Sequence, residues 1–257
     1  MKEGVALLDF DGYVCKAYFA MKANGVDDYD EMTALIDELV KSAQSKVPNC
    51  QYTIAYMSGH TYKKDIYPSY KATRKKDKGL SLFREYCKIY YSDLVLIDPL
   101  LEADDTLVLA YEHFSQGSYV VCFSDDKDLK YYCKNYCKIN FEQQVLEQDP
   151  VEMCKNRIAQ FVAGDREDNI KGIVGLGAKK AFKELEQLGG VTIENAISLY
   201  KNKGIDIDEC MKNFILISPL NKDVIKDYDY DNETSENILG HFRYWNNKIK
   251  EVYNEEI

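Results

Sequence analysis

The chain has 257 residues, 46% of them hydrophobic, which is enough apolar material for one substantial domain or for one with a small appended lobe. No apolar run approaches the roughly 18 residues of a membrane span, and Val5–Leu8 is broken at once by Asp9, so neither a span nor a signal peptide is expected and the expected location is the cytoplasm. A formal charge of −10, from 33 basic and 43 acidic side chains, argues as a sum against a nucleic-acid partner, because phosphates are met by Lys and Arg.

Taken in chain order, short β-rich apolar runs recur at Val5–Leu8, Tyr52–Met57, Leu94–Ile97, Tyr119–Phe123 and Lys138–Phe141. Between the first two, residues 28–46 carry Met32, Leu35, Ile36, Leu39 and Val40 at the spacing of one buried helical face. Such alternation predicts an α/β domain with a mainly parallel central sheet flanked by helices. Residues 63–78 then concentrate Lys63, Lys64, Lys71, Arg74, Lys75, Lys76 and Lys78 against Asp65 and Asp77, a local positive patch on an acidic chain. After Pro150 the strand-like runs stop, and helical patterning takes over at 153–163, 178–188 and 194–201. A helical lobe is expected over 150–257, following a core at 1–149 and sharing one continuous hydrophobic interior with it. Eight cysteines without paired short spacings read as reduced thiols. Cys133 and Cys137 have the spacing of one helical face, but no second pair follows and no zinc site is expected.

Acids fall at the ends of the predicted strands: Asp9 and Asp11 after the first, Glu102, Asp104 and Asp105 after the third, and Asp125, Asp126 and Asp128 after the fourth. In a parallel sheet those ends share one crevice. Asp165 and Asp168, in AGDREDN, open the helical lobe. Each group has an ordinary explanation, since acids in a first helical turn favour the macrodipole and Ser124 can cap a helix. Together they cannot all stay ionised in one cleft without cations. Oxygen-only ligands suit Mg²⁺ or Mn²⁺, and two such ions roughly 4 Å apart activate water and stabilise the leaving oxygen in phosphodiester hydrolysis.

The segment LLDFDGYVCKAYFA resembles the first metal-binding strand and helix of the 5′-nuclease family of flap endonucleases and 5′-3′ exonucleases, with Asp9 matched to the ligand and Lys16 to the basic residue beyond it. YPSYKATRKKD resembles the family's active-site lysine and arginine motif. LEADD, FSDDKDL and AGDREDNIKGIVGLGAKKA follow in the family's order, and NFILISPLNKDVIKDYDYDNETSENILGHFRYW resembles its C-terminal stretch.

The resemblance implies a PIN-like core and a C-terminal lobe with a helix-hairpin-helix-like (helix-three-turn-helix) motif at 164–182. It implies one metal position among Asp9, Glu102, Asp104 and Asp105, and a second among Asp126, Asp128, Asp165 and Asp168. Lys71, Arg74 and Lys16 become catalytic cations, with Lys71 the first choice. Lys71 and Arg74 are three apart, so on a helix they would face the same phosphate. DNA contacts fall to Lys75, Lys76, Gly172, Gly175, Gly177, Lys179 and Lys180, and the 172–177 hairpin can hold K⁺. Residues 75–93 lie where the family carries an arch or gateway for single-stranded 5′ ends, and Phe83, Tyr86, Tyr90 and Tyr91 would stack bases there. An ordinary amphipathic helix with buried aromatics explains that segment equally well. For Asp11, a turn residue before Gly12 is the favoured reading.

One departure stands out. The family usually carries a further aspartate after the second strand, whereas YTIAYM ends here in Ser58 and Gly59. A weaker first metal position is expected, with help from water or Asp11. The activity implied is Mg²⁺-dependent cleavage of branched, nicked or 5′-ended DNA by a monomer, leaving a 5′-phosphate. A stand-alone phage or bacterial enzyme is expected, similar to the 5′-nuclease domain of bacterial repair polymerases. A PIN-type ribonuclease and a non-cleaving DNA-junction binder are the alternatives.

Overall fold

The structure is a computed structural model that describes residues 2–219. Most of the C-terminal resemblance, from Leu220 on, lies outside the described residues. The elements in chain order are β1 (Gly4–Asp9), α1 (Phe10–Ala23), α2 (Tyr29–Ser45), β2 (Cys50–Met57), α3 (Lys63–Ile66), α4 (Lys78–Tyr90), β3 (Val95–Ile97), α5 (Ala103–Phe114) and β4 (Tyr119–Phe123). There follow β5 (Asn135–Cys137), β6 (Leu146–Glu147), α6 (Pro150–Ala163), β7 (Gly164–Asp165), β8 (Ile170–Lys171), α7 (Ala178–Gln187), α8 (Ile193–Asn202) and α9 (Ile207–Ile217).

Two compact units divide the described residues: 2–61 with Lys75–Gln148, and Tyr62–Arg74 with 149–219. The first is an α/β core whose sheet runs β3-β2-β1-β4-β5-β6, parallel except for the β5–β6 pair. Central β1 is buried along its whole length, as a parallel strand covered on both faces must be. Strand order reverses at β1, because β2 pairs on one side and β4 on the other, so the carboxyl ends of β1 and β4 flank a topological switch point.

Helix α2 meets the sequence expectation closely. Asp28 caps it by accepting from the Asp30 and Glu31 N–H groups, and Met32, Ile36, Leu39 and Val40 are buried. Helix α1 starts directly after β1 because Asp9 itself caps it, accepting from the Gly12 N–H at 3.3 Å. Asp11 is therefore a first-turn helical residue, and the Asp-Gly turn reading is overturned. The fifth strand occupies 135–137 and not 138–141, and Cys133 and Cys137 do not share a helix: Cys133 follows a single 3₁₀ turn at 129–131, and Cys137 ends β5. Both are buried free thiols.

Among the described residues, the second unit is helical apart from the two-stranded antiparallel β7–β8 ribbon, whose two-residue strands are too short to give a pattern in the sequence. The expected helices appear as α6, α7 and α8, joined by α9. The expected continuous interior resolves into two. One cluster holds Leu8, Phe10, Ile36, Phe83 and Phe123, and the other holds Phe161, Leu185, Ile197, Tyr200 and Phe214. The second centres on Phe161, whose ring lies 4.9 Å from Tyr200 and 5.0 Å from Phe214. Tyr70 joins this second cluster, which is why Tyr62–Arg74 folds with the lobe.

Candidate active site

Asp9 ends β1 at the switch point, and its carboxylate is 7% exposed. Ser124, which follows β4, donates from Oγ to Asp9 Oδ2 at 2.6 Å and accepts the Asp126 N–H at 2.9 Å. Asp126 Oδ1 in turn accepts the Asp128 N–H at 2.7 Å. The FSDDKDL segment is thus a turn that threads Asp9, Asp126 and Asp128 onto one hydrogen-bonded chain, and Ser124 is no helix cap. Burial pushes the Asp9 carboxyl up to about 7, opposed by the Ser124 hydrogen bond and reinforced by the charges of Asp11 and Asp126.

The third-strand acids lie at the start of α5. Glu102 is its N-cap, Asp104 and Asp105 fill the first turn, and Glu102 and Asp105 form a reciprocal capping box, with the Glu102 N–H 3.4 Å from Asp105 Oδ2. Glu102 is 6% exposed and Asp105 fully buried, an expensive place for carboxylates that serve only as caps. Asp104 bears on the same region, for the Cys122 thiol beneath is held well above its usual value by its hydrogen bond with Cys133, by burial, and by the charges of Cys133, Asp9 and Asp104.

Lys16 and Arg84 answer two of the strand-end acids, Asp125 and Asp11. Lys16 Nζ lies 2.8 Å from Asp125 Oδ2, a half-exposed pair of small energetic weight. Arg84 of α4 forks onto Asp11, with Nε at 2.6 Å from Oδ1. Asp11 also accepts the Ser58 N–H at 2.7 Å, so both its oxygens are engaged, and Ser58 Oγ accepts the Ala103 N–H at 3.0 Å. Ser58 therefore stands beside the third-strand acids. Phe83 of α4 and Tyr91 just after it are buried, which removes these two from base stacking, while Tyr86 is partly buried with its ring 5.1 Å from that of Tyr29 and Tyr90 is 54% exposed. Lys75 and Lys76 are exposed just before the helix.

In the second unit the expected cations meet, though not as expected. Residues 68–74 form turns, and Lys71 adopts a left-handed φ of 55°, so helical spacing does not align it with Arg74. Asp168 does so. Its Oδ1 accepts from Arg74 Nη2, its Oδ2 lies 3.8 Å from Lys71 Nζ and 3.3 Å from the Tyr70 hydroxyl, and its carbonyl accepts the Lys71 N–H at 3.0 Å. The Lys71 ammonium also sits 5.0 Å from the centre of the buried Tyr70 ring, a cation–π contact. Asp165, 7% exposed, accepts the Glu167 N–H at 2.8 Å and the Asp168 N–H at 3.4 Å, which fixes the turn that carries Asp168.

The hairpin between α6 and α7 depends on glycine at two places. Gly172 packs so closely on Ala163 that an added Cβ would come 2.1 Å from its carbonyl carbon, and Gly175 has φ 83°. Around the loop lies an open cavity of about 610 Å³ lined by Arg166, Asn169 and residues 170–177. Gly177 starts α7 without a side-chain cap, leaving first-turn N–H groups for an anion, and Lys179 and Lys180 are exposed beside them.

No group of three His, Cys, Asp or Glu side chains is drawn together tightly enough to hold a metal ion among the described residues. The donor chemistry nevertheless fits a hard divalent cation. Asp9, Glu102 and Asp105 are buried all-oxygen donors, the ligand type that a hard divalent cation takes. Sequence reasoning missed Ser124 as the Asp9 partner, Arg84 as the Asp11 partner and Tyr70 under Lys71. The only cues were a serine directly after an apolar strand and a lone arginine within an aromatic helix.

No family model matches the chain. Among curated proteins, a 5′-3′ exonuclease of Aquifex aeolicus is 27% identical over 267 residues, covering 97% of this chain and 90% of the relative. DNA polymerase I of Geobacillus stearothermophilus is 23% identical over 248 residues, 86% of this chain but 28% of the polymerase. Among solved structures, a 5′-exonuclease of bacteriophage T5 with bound zinc ions superposes with a TM-score of 0.64 at 17% identity, over 96% of this chain and 98% of that one. A T5 flap endonuclease in a pseudo-enzyme–product complex with DNA and metal ions gives 0.60 at 16%, over 98% and 99%. The fold is that of the T5 5′-exonuclease. No helix among the described residues is long and apolar enough to cross a membrane.

Proposed function

We propose that the chain is a divalent-metal-dependent 5′-nuclease, a DNA phosphodiester hydrolase that cuts near junctions of single and double strands as a flap endonuclease and 5′-3′ exonuclease and leaves a 5′-phosphate. The observation that carries this reading is the buried Asp9 carboxylate at the switch point of the sheet, tied by Ser124 to Asp126 and raised to about 7 by burial and by the charges of Asp11 and Asp126. Sequence likeness to a 5′-3′ exonuclease along 97% of the chain supports it.

Asp9, Glu102, Asp104, Asp105, Asp126 and Asp128 are the donors of the first unit, and Asp165 and Asp168 those of the second; two Mg²⁺ ions, or Mn²⁺, are the proposed occupants. When bound, such ions supply Lewis-acid activation of water and neutralise charge on the phosphodiester. The protein's own groups do the rest. Ser124 orients Asp9, Asp165 fixes the turn of Asp168, and Asp168 with Tyr70 holds Lys71 and Arg74 side by side, so that both cations meet one phosphate as charge develops on it. Lys179, Lys180 and the N–H groups around Gly172–Gly177 meet the duplex backbone, with K⁺ as a further occupant of that loop. The chain acts as a monomer in the cytoplasm of a bacterial or phage-infected cell.

A labelled 5′-flap DNA, a nicked duplex and a single-stranded RNA, each with Mg²⁺ and with chelator, test this. Cleavage of the DNA substrates near the junction is expected with Mg²⁺ alone, with the fold unchanged by chelation. Cleavage confined to the RNA would establish a ribonuclease, and binding without product a junction binder. Full activity in chelator would remove the metal from the reaction.

A further inference from the structure

Helix α4 carries one arginine, Arg84, which turns inward while its Nη1 stays 4.0 Å from Oε1 of the exposed Glu85. Arg84 donates from Nε to Asp11 Oδ1 at 2.6 Å, and from Nη2 both to Asp11 Oδ2 at 3.4 Å and to the Ser58 carbonyl. Asp11 closes the loop by accepting the Ser58 N–H, and the Ser58 hydroxyl accepts the Ala103 N–H, next to Glu102. One guanidinium thus joins α4 to the first turn of α1, to the end of β2 and, through Ser58, to the start of α5. The pair is partly withdrawn from solvent, with side chains 28% and 24% exposed. A two-pronged contact of this kind, with three acceptor oxygens on two residues, is unlike the exposed single pairs that contribute little. Arg84 is not among the proposed metal and phosphate residues, and Asp11, expected from the sequence to help the first metal position, has both oxygens engaged by Arg84 and the Ser58 N–H.

We infer that Arg84 is a positioning residue and a resident counter-cation: it fastens α4 to the acidic crevice and holds down the pull of that crevice on divalent ions. The counter-cation half rests on the metal-dependent reading above; the fastening half does not. Two consequences separate charge from scaffolding. Removing Arg84 leaves the carboxylates in place and takes away a repelling charge, so a divalent ion should bind more tightly. Removing the Asp11 charge breaks the same contact but weakens binding.

The test uses the full chain as Arg84→Met, Arg84→Lys and Asp11→Asn. Amide exchange of residues 83–88 in metal-free protein should quicken in all three, least in Arg84→Lys, which keeps the charge but loses the fork. Mn²⁺ titration should give roughly tenfold tighter binding for Arg84→Met, parent-like binding for Arg84→Lys and weaker binding for Asp11→Asn. Unchanged α4 exchange in Arg84→Met overturns the fastening. Unchanged or weaker Mn²⁺ binding in that variant overturns the counter-cation, because a scaffold role alone would move both substitutions the same way. If the parent protein binds no Mn²⁺, the metal-dependent reading falls and the counter-cation with it, while exchange still decides the fastening. Should Arg84→Met fail to fold by circular dichroism, Arg84→Lys decides: faster exchange with parent-like Mn²⁺ affinity supports the assignment, and parent-like exchange overturns it.

Discussion

Ser58 shows how one side chain can change a site without dismantling it. Its hydroxyl accepts the Ala103 N–H, so it serves α5 as a cap-like acceptor while contributing no charge. An aspartate there would keep an acceptor at the helix N-terminus, where a negative charge is favoured by the macrodipole, and would add a carboxylate beside Glu102. Ser58→Asp should therefore lower the Mg²⁺ concentration needed for half-maximal cleavage severalfold, and an unchanged titration would remove Ser58 from the metal position. Lys71 makes the complementary case. Its left-handed backbone, its place over Tyr70 and its pairing with Asp168 fix one ammonium in a defined direction, where a solvated basic face would leave it free. Lys71→Ala should cut the single-turnover rate by about a hundredfold or more, on the scale of one lost transition-state donor, with duplex affinity nearly unchanged. Equal losses in rate and affinity would make it a binding residue only.

At the scale of elements, what could be read from the residues depended on how local the cause was. Helix α2 was legible because its cap, its apolar face and its end all lie within residues 28–46. Strands β1, β2 and β4 were legible as apolar runs, and their terminal acids followed from the parallel sheet. Strand β5 lies three residues before the apolar run at 138–141 because Tyr136 and Cys137 owe their pairing to Cys122 and Phe123, and Asn135 owes its pairing to Glu147, not to any alternation of their own. The spacing of Lys71 and Arg74 would align them only on a helix, whereas in the fold the segment is a turn and both pair with Asp168, 97 residues beyond Lys71. The hairpin sits between these extremes: its glycines announced a close approach, while the anchoring of Lys171 by Asn213, whose Nδ2 donates to the Lys171 carbonyl at 2.6 Å, has no sequence signal. Because the exposed Lys179 and Lys180 make no local contact that the fold needs, replacing both with Ala should leave stability within about 0.5 kcal/mol. The same change should weaken duplex binding and reduce the slope of log K against log salt by about 1 to 2. A duplex affinity and slope equal to those of the parent would put the DNA surface elsewhere.

At the scale of the whole molecule, the acidic crevice sets a cost that pH and metal should both modulate. Asp9 titrates in the folded chain at about 7, against 3.8 as its ordinary value, because burial outweighs the Ser124 hydrogen bond that favours the charged form. The unfolded chain therefore releases this proton first as pH rises. Between about pH 4 and pH 7 the folded state binds more protons than the unfolded one, so the Asp9 contribution to stability is full below about 4 and is lost as pH climbs to about 7. The loss is on the order of a few kcal/mol, at about 1.4 kcal/mol per pKa unit. Asp9→Asn removes the titrating proton, so in metal-free protein the difference in melting temperature between parent and variant should move in favour of the variant from pH 4 to pH 7.5. Mg²⁺ favours the ionised carboxylate, so its addition at pH 7.5 should raise the melting temperature of the parent more than that of Asp9→Asn, and more than it does at pH 5. Parallel melting curves for the two proteins at every pH would show that Asp9 is not the strained acid of the crevice. A metal effect of equal size in both would place the ion away from the end of β1.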